Sequence, residues 1–228
     1  MNTTESPHIN VWIAAGVQHA VLSRTMPALR HDLAGSVSVL RMALAVISRK
    51  IESSGDQISR EVMVPRITPL EAAINDLNAG LRRLRHWDKQ LHEVLDARTL
   101  LGEILDLSRP FLALRNIEQS PLPSAEEAAW PLQALTPQPL MYLMLASIYH
   151  LAEGRGKAPQ HIAIHPETDR IRISAERGVS TASASDITHG EDLINTPPID
   201  RRGLQCLADH LQSRIEFESD QSVLVYLG

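Results

Sequence analysis

What most restricts the folding of this chain is a heptad repeat. Met26, Leu33, Val37, Leu40, Leu44, Ile47 and Ile51 follow one another in steps of four and three, apart from a polar gap at Arg30. With Leu33, Leu40 and Ile47 as d and Val37, Leu44 and Ile51 as a, the seam is that of a coiled coil or helix bundle. His31 then falls at b and Asp32 at c, both facing water. A histidine held out from a rigid helix beside a carboxylate has the chemistry of a phosphoryl acceptor. An ordinary surface histidine is the competing reading of the same position.

The helical pattern runs from about Asn10 to Ser53, after a polar tail over 1–9. Pro27 inside it should kink or divide the helix one turn before His31. Gly55 offers a left-handed cap. A second helix should start at Thr68, with Pro69 at its first position and Glu71 as capping-box partner. Its apolar row is Leu70, Ile74, Leu77, Leu81, Leu84, Leu91 and Leu95, interrupted at Asp88, with Trp87 beside the gap. The two helices form an antiparallel hairpin. A hairpin with regular heptads buries its stripes either against the C-terminal half or against a second hairpin; the regularity of the heptads favours the second, which predicts a homodimeric four-helix bundle.

Past residue 97 the pattern shortens. An amphipathic helix over 99–114, with a break at Pro110, precedes a Pro/Ala-rich loop over 119–138 and a helix over 139–153. Strand-like runs at 161–165 and 170–175 follow, then a Ser/Thr/Gly-rich stretch, a helix near 199–212 and a terminal hairpin turning at Asp220 and Gln221. The class is α+β: a tail (1–9), a helical-hairpin domain (10–97) and an α/β sandwich with a largely antiparallel sheet (98–228).

Composition removes several functions. With 4% aromatic residues and a net charge of −5, neither base stacking nor a phosphate-backbone interface is supported, so no nucleic-acid partner is expected. One cysteine, Cys206, rules out an intrachain disulfide and reads as a small core residue in a helix. No uninterrupted apolar run reaches the roughly 20 residues of a bilayer span, and the first ten residues lack a secretory pattern. The expectation is a cytoplasmic protein without a membrane partner. His161 and His165 share one strand face about 13 Å apart, too far to chelate one zinc, and His86 and His92 are out of ligand spacing, so no metal site is expected.

A helical hairpin carrying HDL, followed by this order of elements, resembles the core of bacterial sensor histidine kinases over nearly the whole chain. The segment HDLAGSV keeps His31, Asp32 and Leu33 of the family's H-box and has Ser36 where a proline usually stands. With Val37 behind it, it is most similar to the ATP-less dimeric histidine phosphotransferases of the same architecture. The resemblance places magnesium-holding asparagines on the helix YLMLASIYHLAEG, where this chain has Ser147 and Leu151, with His150 and Glu153 in poor register for a metal. It places an adenine-binding Asp-x-Gly-x-Gly where this chain reads Glu176, Arg177, Gly178, Val179, Ser180. It places a glycine-rich lid where this chain reads Asp200, Arg201, Arg202, Gly203, Leu204. Three degraded motifs together imply a degenerate ATPase-like domain with no nucleotide, Glu176, Gly178 and Gly203 being remnants. Gly178 and Gly203 read equally well as a turn glycine and a helix-start glycine; Arg201 and Arg202 read as solvated charges ahead of phosphate ligands.

The resemblance therefore implies a phosphorelay protein, a pseudo-histidine kinase in which His31 accepts the phosphoryl group and Asp32 orients it or handles a proton. Arg30, Ala34, Ser38 and Arg41 would form the docking face, Ser38 lying one heptad beyond His31. Receiver domains of response regulators and hybrid histidine kinases would be the partners, each supplying its own aspartate and Mg2+, with no cofactor intrinsic to this chain. A divergent active kinase and a non-catalytic adaptor docking response regulators remain as alternatives.

Overall fold

The computed structural model describes residues 7–54, 59–87, 94–154, 159–177 and 196–227. Contacts divide the chain into two units, Met26–Leu91 on the one hand and Met1–Thr25 with His92–Gly228 on the other. The division falls within the first helix, not near residue 10 where the change of pattern suggests a boundary.

Helix α1 (Pro7–Ser54) from Met26 onward and helix α2 (Arg60–Arg85) account for the first unit. Pro27 lies inside α1 and does not divide it; proline removes one ladder bond but the helix continues through it. The predicted start at Thr68 is overturned. Helix α2 begins at Arg60, with Pro65 and Pro69 both in its interior, and the Thr68 hydroxyl donates to the Val64 carbonyl in place of capping. The reason is tertiary: a half-buried or buried stripe runs from Met63 through Arg66, Leu70, Ala73, Leu77 and Gly80 to Leu84, and burying it outweighs local start signals. The end of α2 at Arg85, with Arg82, Arg83 and Arg85 in the last turn, suits the negative pole of the helix dipole. Leu95, read as helical, instead exchanges backbone hydrogen bonds with Leu135. Asp88 and Leu91 of the predicted row, and Gly55, lie outside the described residues.

Leu33 of α1 and Gly80 of α2 meet so closely that a Cβ on Gly80 would come within 2.7 Å of Leu33 Cδ2. Both residues stand about equally far from the connection, as an antiparallel hairpin requires. Within this hairpin the heptad row splits in two. Leu33, Leu40 and Ile47 are half-buried, as are Leu70, Leu77 and Leu84, whereas Val37, Leu44 and Ile51 on α1 and Ile67, Ile74 and Leu81 on α2 stay exposed. By averaged hydropathy, which reaches 1.2 over 18 residues between His8 and Ser53, α1 is long and apolar enough to cross a membrane; none of that window is buried.

The second unit is a sheet under helices. Helix α3 (Ala97–Ala113) is capped by Asp96, whose carboxylate accepts from the Thr99 amide at 2.9 Å and the Thr99 hydroxyl at 2.6 Å. Pro110 lies within α3 without breaking it. A two-residue strand β1 (Glu118–Gln119) follows, then helix α4 (Pro137–Ala152), strands β2 (His161–Pro166) and β3 (Arg170–Glu176), helix α5 (Arg201–His210), and strands β4 (Ile215–Ser219) and β5 (Ser222–Tyr226). The sheet order is β1-β2-β3-β5-β4; β1 runs parallel to β2 and every other pair is antiparallel. Helix α4 is buried around most of its circumference, which makes it the central helix. It packs on β3 and β5, with α3 and α5 beside it. Cys206 is buried in α5.

Candidate functional site

His31 stands on the exposed face of α1 with 90% of its side chain accessible, beside Asp32 at 65%. Its Nδ1 lies 3.5 Å from Asp32 Oδ1, close enough for attraction and longer than a good hydrogen bond. With Nδ1 turned to Asp32 and 90% of the side chain accessible, Nε2 is the ring nitrogen left for a partner. Arg30, Ala34, Ser38 and Arg41 are exposed on the same helix. Ser38 donates to the Ala34 carbonyl at 2.8 Å, and Ser36, at the place of the expected proline, donates to the Asp32 carbonyl at 3.2 Å. These bonds satisfy the hydroxyls within the helix and leave the surface around His31 formed of small groups and arginines. Such a surface can present a nucleophilic nitrogen to a bulky partner. It has no walls to hold a small molecule.

Of the residues matched to nucleotide motifs, His150, Arg201 and Gly203 make contacts within the fold. Ser147 and Leu151 are buried in α4, and the Ser147 hydroxyl has no hydrogen-bond partner among the described residues. His150 donates from Nδ1 to the Ile199 carbonyl at 2.7 Å and meets Phe217 edge-on. Glu176 is exposed at the end of β3, its carbonyl accepting from the Gln160 amide. The Gly203 amide donates to Asp200 Oδ1 at 2.7 Å, an N-cap bond for α5 that occupies an amide a phosphate would need. Arg201 is not a purely solvated charge: it binds Asp220 Oδ1 at 2.7 Å and lies over the Phe217 ring. Gly178 lies outside the described residues, as does His92. His161 meets Ser120, and His165 meets Ser174 at 3.2 Å. No group of three or more potential ligands capable of holding a metal occurs among the described residues.

One cluster was not foreseen. Arg24, its side chain 1% exposed, makes a two-nitrogen clasp on Glu153, which is 12% exposed, at the C-terminal end of α4. It also donates to the carbonyls of Ala20 and Pro197. Arg115 reaches the same carboxylate at 3.3 Å and stacks 3.7 Å above the Phe111 ring. Burial pulls the Arg115 guanidinium below its usual range, and the Glu153 charge opposes that pull. Tyr149 completes the floor, its hydroxyl 3.3 Å from that of Thr25, and burial pushes its phenol up to about 12. A signal did exist in the sequence. Arg24 continues the spacing of Val17 and Val21, and an arginine on an apolar face needs a buried carboxylate.

No family model and no curated protein matches the chain. Among solved structures it is similar to the Acinetobacter baumannii histidine kinase AdeS, at 13% identity and a TM-score of 0.34 over 87% of this chain and 98% of that one. It is also similar to a histidine kinase from Burkholderia phymatum STM815, at 15% identity and a TM-score of 0.33 over 88% of this chain and 96% of that one. Likeness at this level carries no inference about activity.

Proposed function

We propose that this chain is a homodimeric histidine phosphotransferase, passing phosphoryl groups between His31 and the aspartates of receiver domains. The observation that carries the reading is the presentation of His31: an imidazole 90% exposed on a helix, clear of both apolar stripes and next to a carboxylate. In the forward step Nε2 attacks the phosphorus of an aspartyl phosphate. The N–P bond forms as the P–O bond to the partner's carboxyl breaks, and the aspartate leaves as carboxylate. Asp32 steadies the positive charge that the ring acquires. An acyl phosphate is already activated, so the hairpin has to supply only the nitrogen, a docking face and rigidity. Mg2+ would come with the receiver.

The contacts of His150 and Gly203 within the fold support a phosphoryl source outside the chain. The exposed stripes Val37–Leu44–Ile51 and Ile67–Ile74–Leu81 support pairing with a second copy, since both repeat at seven residues and neither is covered within the hairpin. The test is transfer from a labelled receiver. Wild type should take up label and His31→Gln none, while neither is labelled by ATP alone. Labelling by ATP would establish a divergent kinase instead. A receiver that keeps all its label in the presence of wild type would establish an adaptor.

A further inference from the structure

We infer that the part of α1 preceding Met26 is a self-docked strap that closes the groove between α4 and the start of α5, and that it can open without unfolding the sheet. The strap face is built of Ala14, Val17, Ala20 and Val21, all buried, at the spacing of one helix face. Each end of the groove is engaged by a different residue. Val17 lies against Gly203, where a Cβ would come within 3.0 Å of Val17 Cγ2. Arg24 clasps Glu153 and the Pro197 carbonyl, and Thr25 meets Tyr149.

Three features make this a strap and not simply one more core helix. Two of its four buried apolar residues are alanines, which bury little area, and Ile13 and Leu22 are only half-buried. Its clasp is a buried ion pair between residues 129 positions apart, an arrangement that fixes register more than it stabilises. Three residues after Arg24 comes Pro27, which cannot donate to the Ser23 carbonyl, so the helix ladder is weakest where the strap leaves its unit. The inference is independent of phosphoryl chemistry at His31.

Hydrogen–deuterium exchange on the full chain tests it. Arg24→Glu should speed exchange at residues 14–25 by tenfold or more while β2, β3 and β5 keep their protection. Fluorescence of the apolar dye ANS should rise several-fold, reporting an uncovered groove. The double variant Arg24→Glu with Glu153→Arg should restore slow exchange. Val17→Ser opens the strap without burying a charge, and should give the same pattern if Arg24→Glu fails to fold. Equal loss of protection in the sheet would overturn the proposal, because the segment would then be inseparable from the core. Unchanged exchange at 14–25, or no gain in dye binding, would overturn it as well.

Discussion

Gly203 illustrates how a single residue can be legible in type and misleading in cause. The sequence marks it as a helix-start or phosphate glycine; in the fold its amide serves Asp200 and its missing side chain admits Val17. Alanine there would stand 3.0 Å from Val17 Cγ2 and 3.3 Å from Asp200 Oδ1. Gly203→Ala should therefore lose about 1 kcal/mol by overpacking, measured by urea unfolding. In a Val17→Ala background the same change should become neutral or favourable, since alanine is the better helix former by about 1 kcal/mol. Equal effects in both backgrounds would mean that Val17 is not what Gly203 accommodates. His31 and Asp32 were legible because exposure follows from heptad position alone. The Arg24–Glu153 clasp was not, because no local rule pairs residues so far apart.

Among the elements, those with strong local chemistry were read correctly. The terminal hairpin turns at Asp220 and Gln221 as its sequence indicates, and β2, β3, α4 and α5 lie within a few residues of their expected places. Helix α3 starts at Ala97, not 99, because Asp96 is the cap. The hydroxyl and amide of Thr99 hold the Asp96 carboxyl below its ordinary 3.8. The folded value is depressed, so the stabilisation is present above pH 3.8 and is lost as pH falls through the lower folded value. Asp96→Ala should cost about 1 kcal/mol at pH 7, and the gap to wild type should close in acid, read from thermal melts across pH. A gap independent of pH would assign the loss to something other than the ionised cap. Helix α2 was misread at both ends, because burial of the 63–84 stripe decided its extent and Thr68 with Pro69 had no say. The two-residue β1 escaped notice because so short a strand has no periodicity to read.

For the whole molecule, the seven-residue spacing of two exposed stripes supports a dimer through the hairpin. Leu44→Asp or Ile74→Asp should convert dimer to monomer in sedimentation equilibrium while leaving the α/β unit folded by near-ultraviolet circular dichroism. A monomeric wild type would remove the four-helix bundle from the proposal. The sequence by itself determined the hairpin, the α+β class and the exposure of His31, all of which follow from periodicity or from residue type at one position. Tertiary structure decided which half of each heptad row turns inward, where α2 begins, and that α1 serves two units, with Ala14, Val17, Ala20, Val21 and Arg24 buried in the α/β unit while the turn before them stays exposed. Those outcomes depend on which distant surface each face meets, and local propensity does not encode that. His31 could be found from its own heptad, whereas the purpose of Gly203 and Arg24 became readable only once Val17 and Glu153 stood beside them.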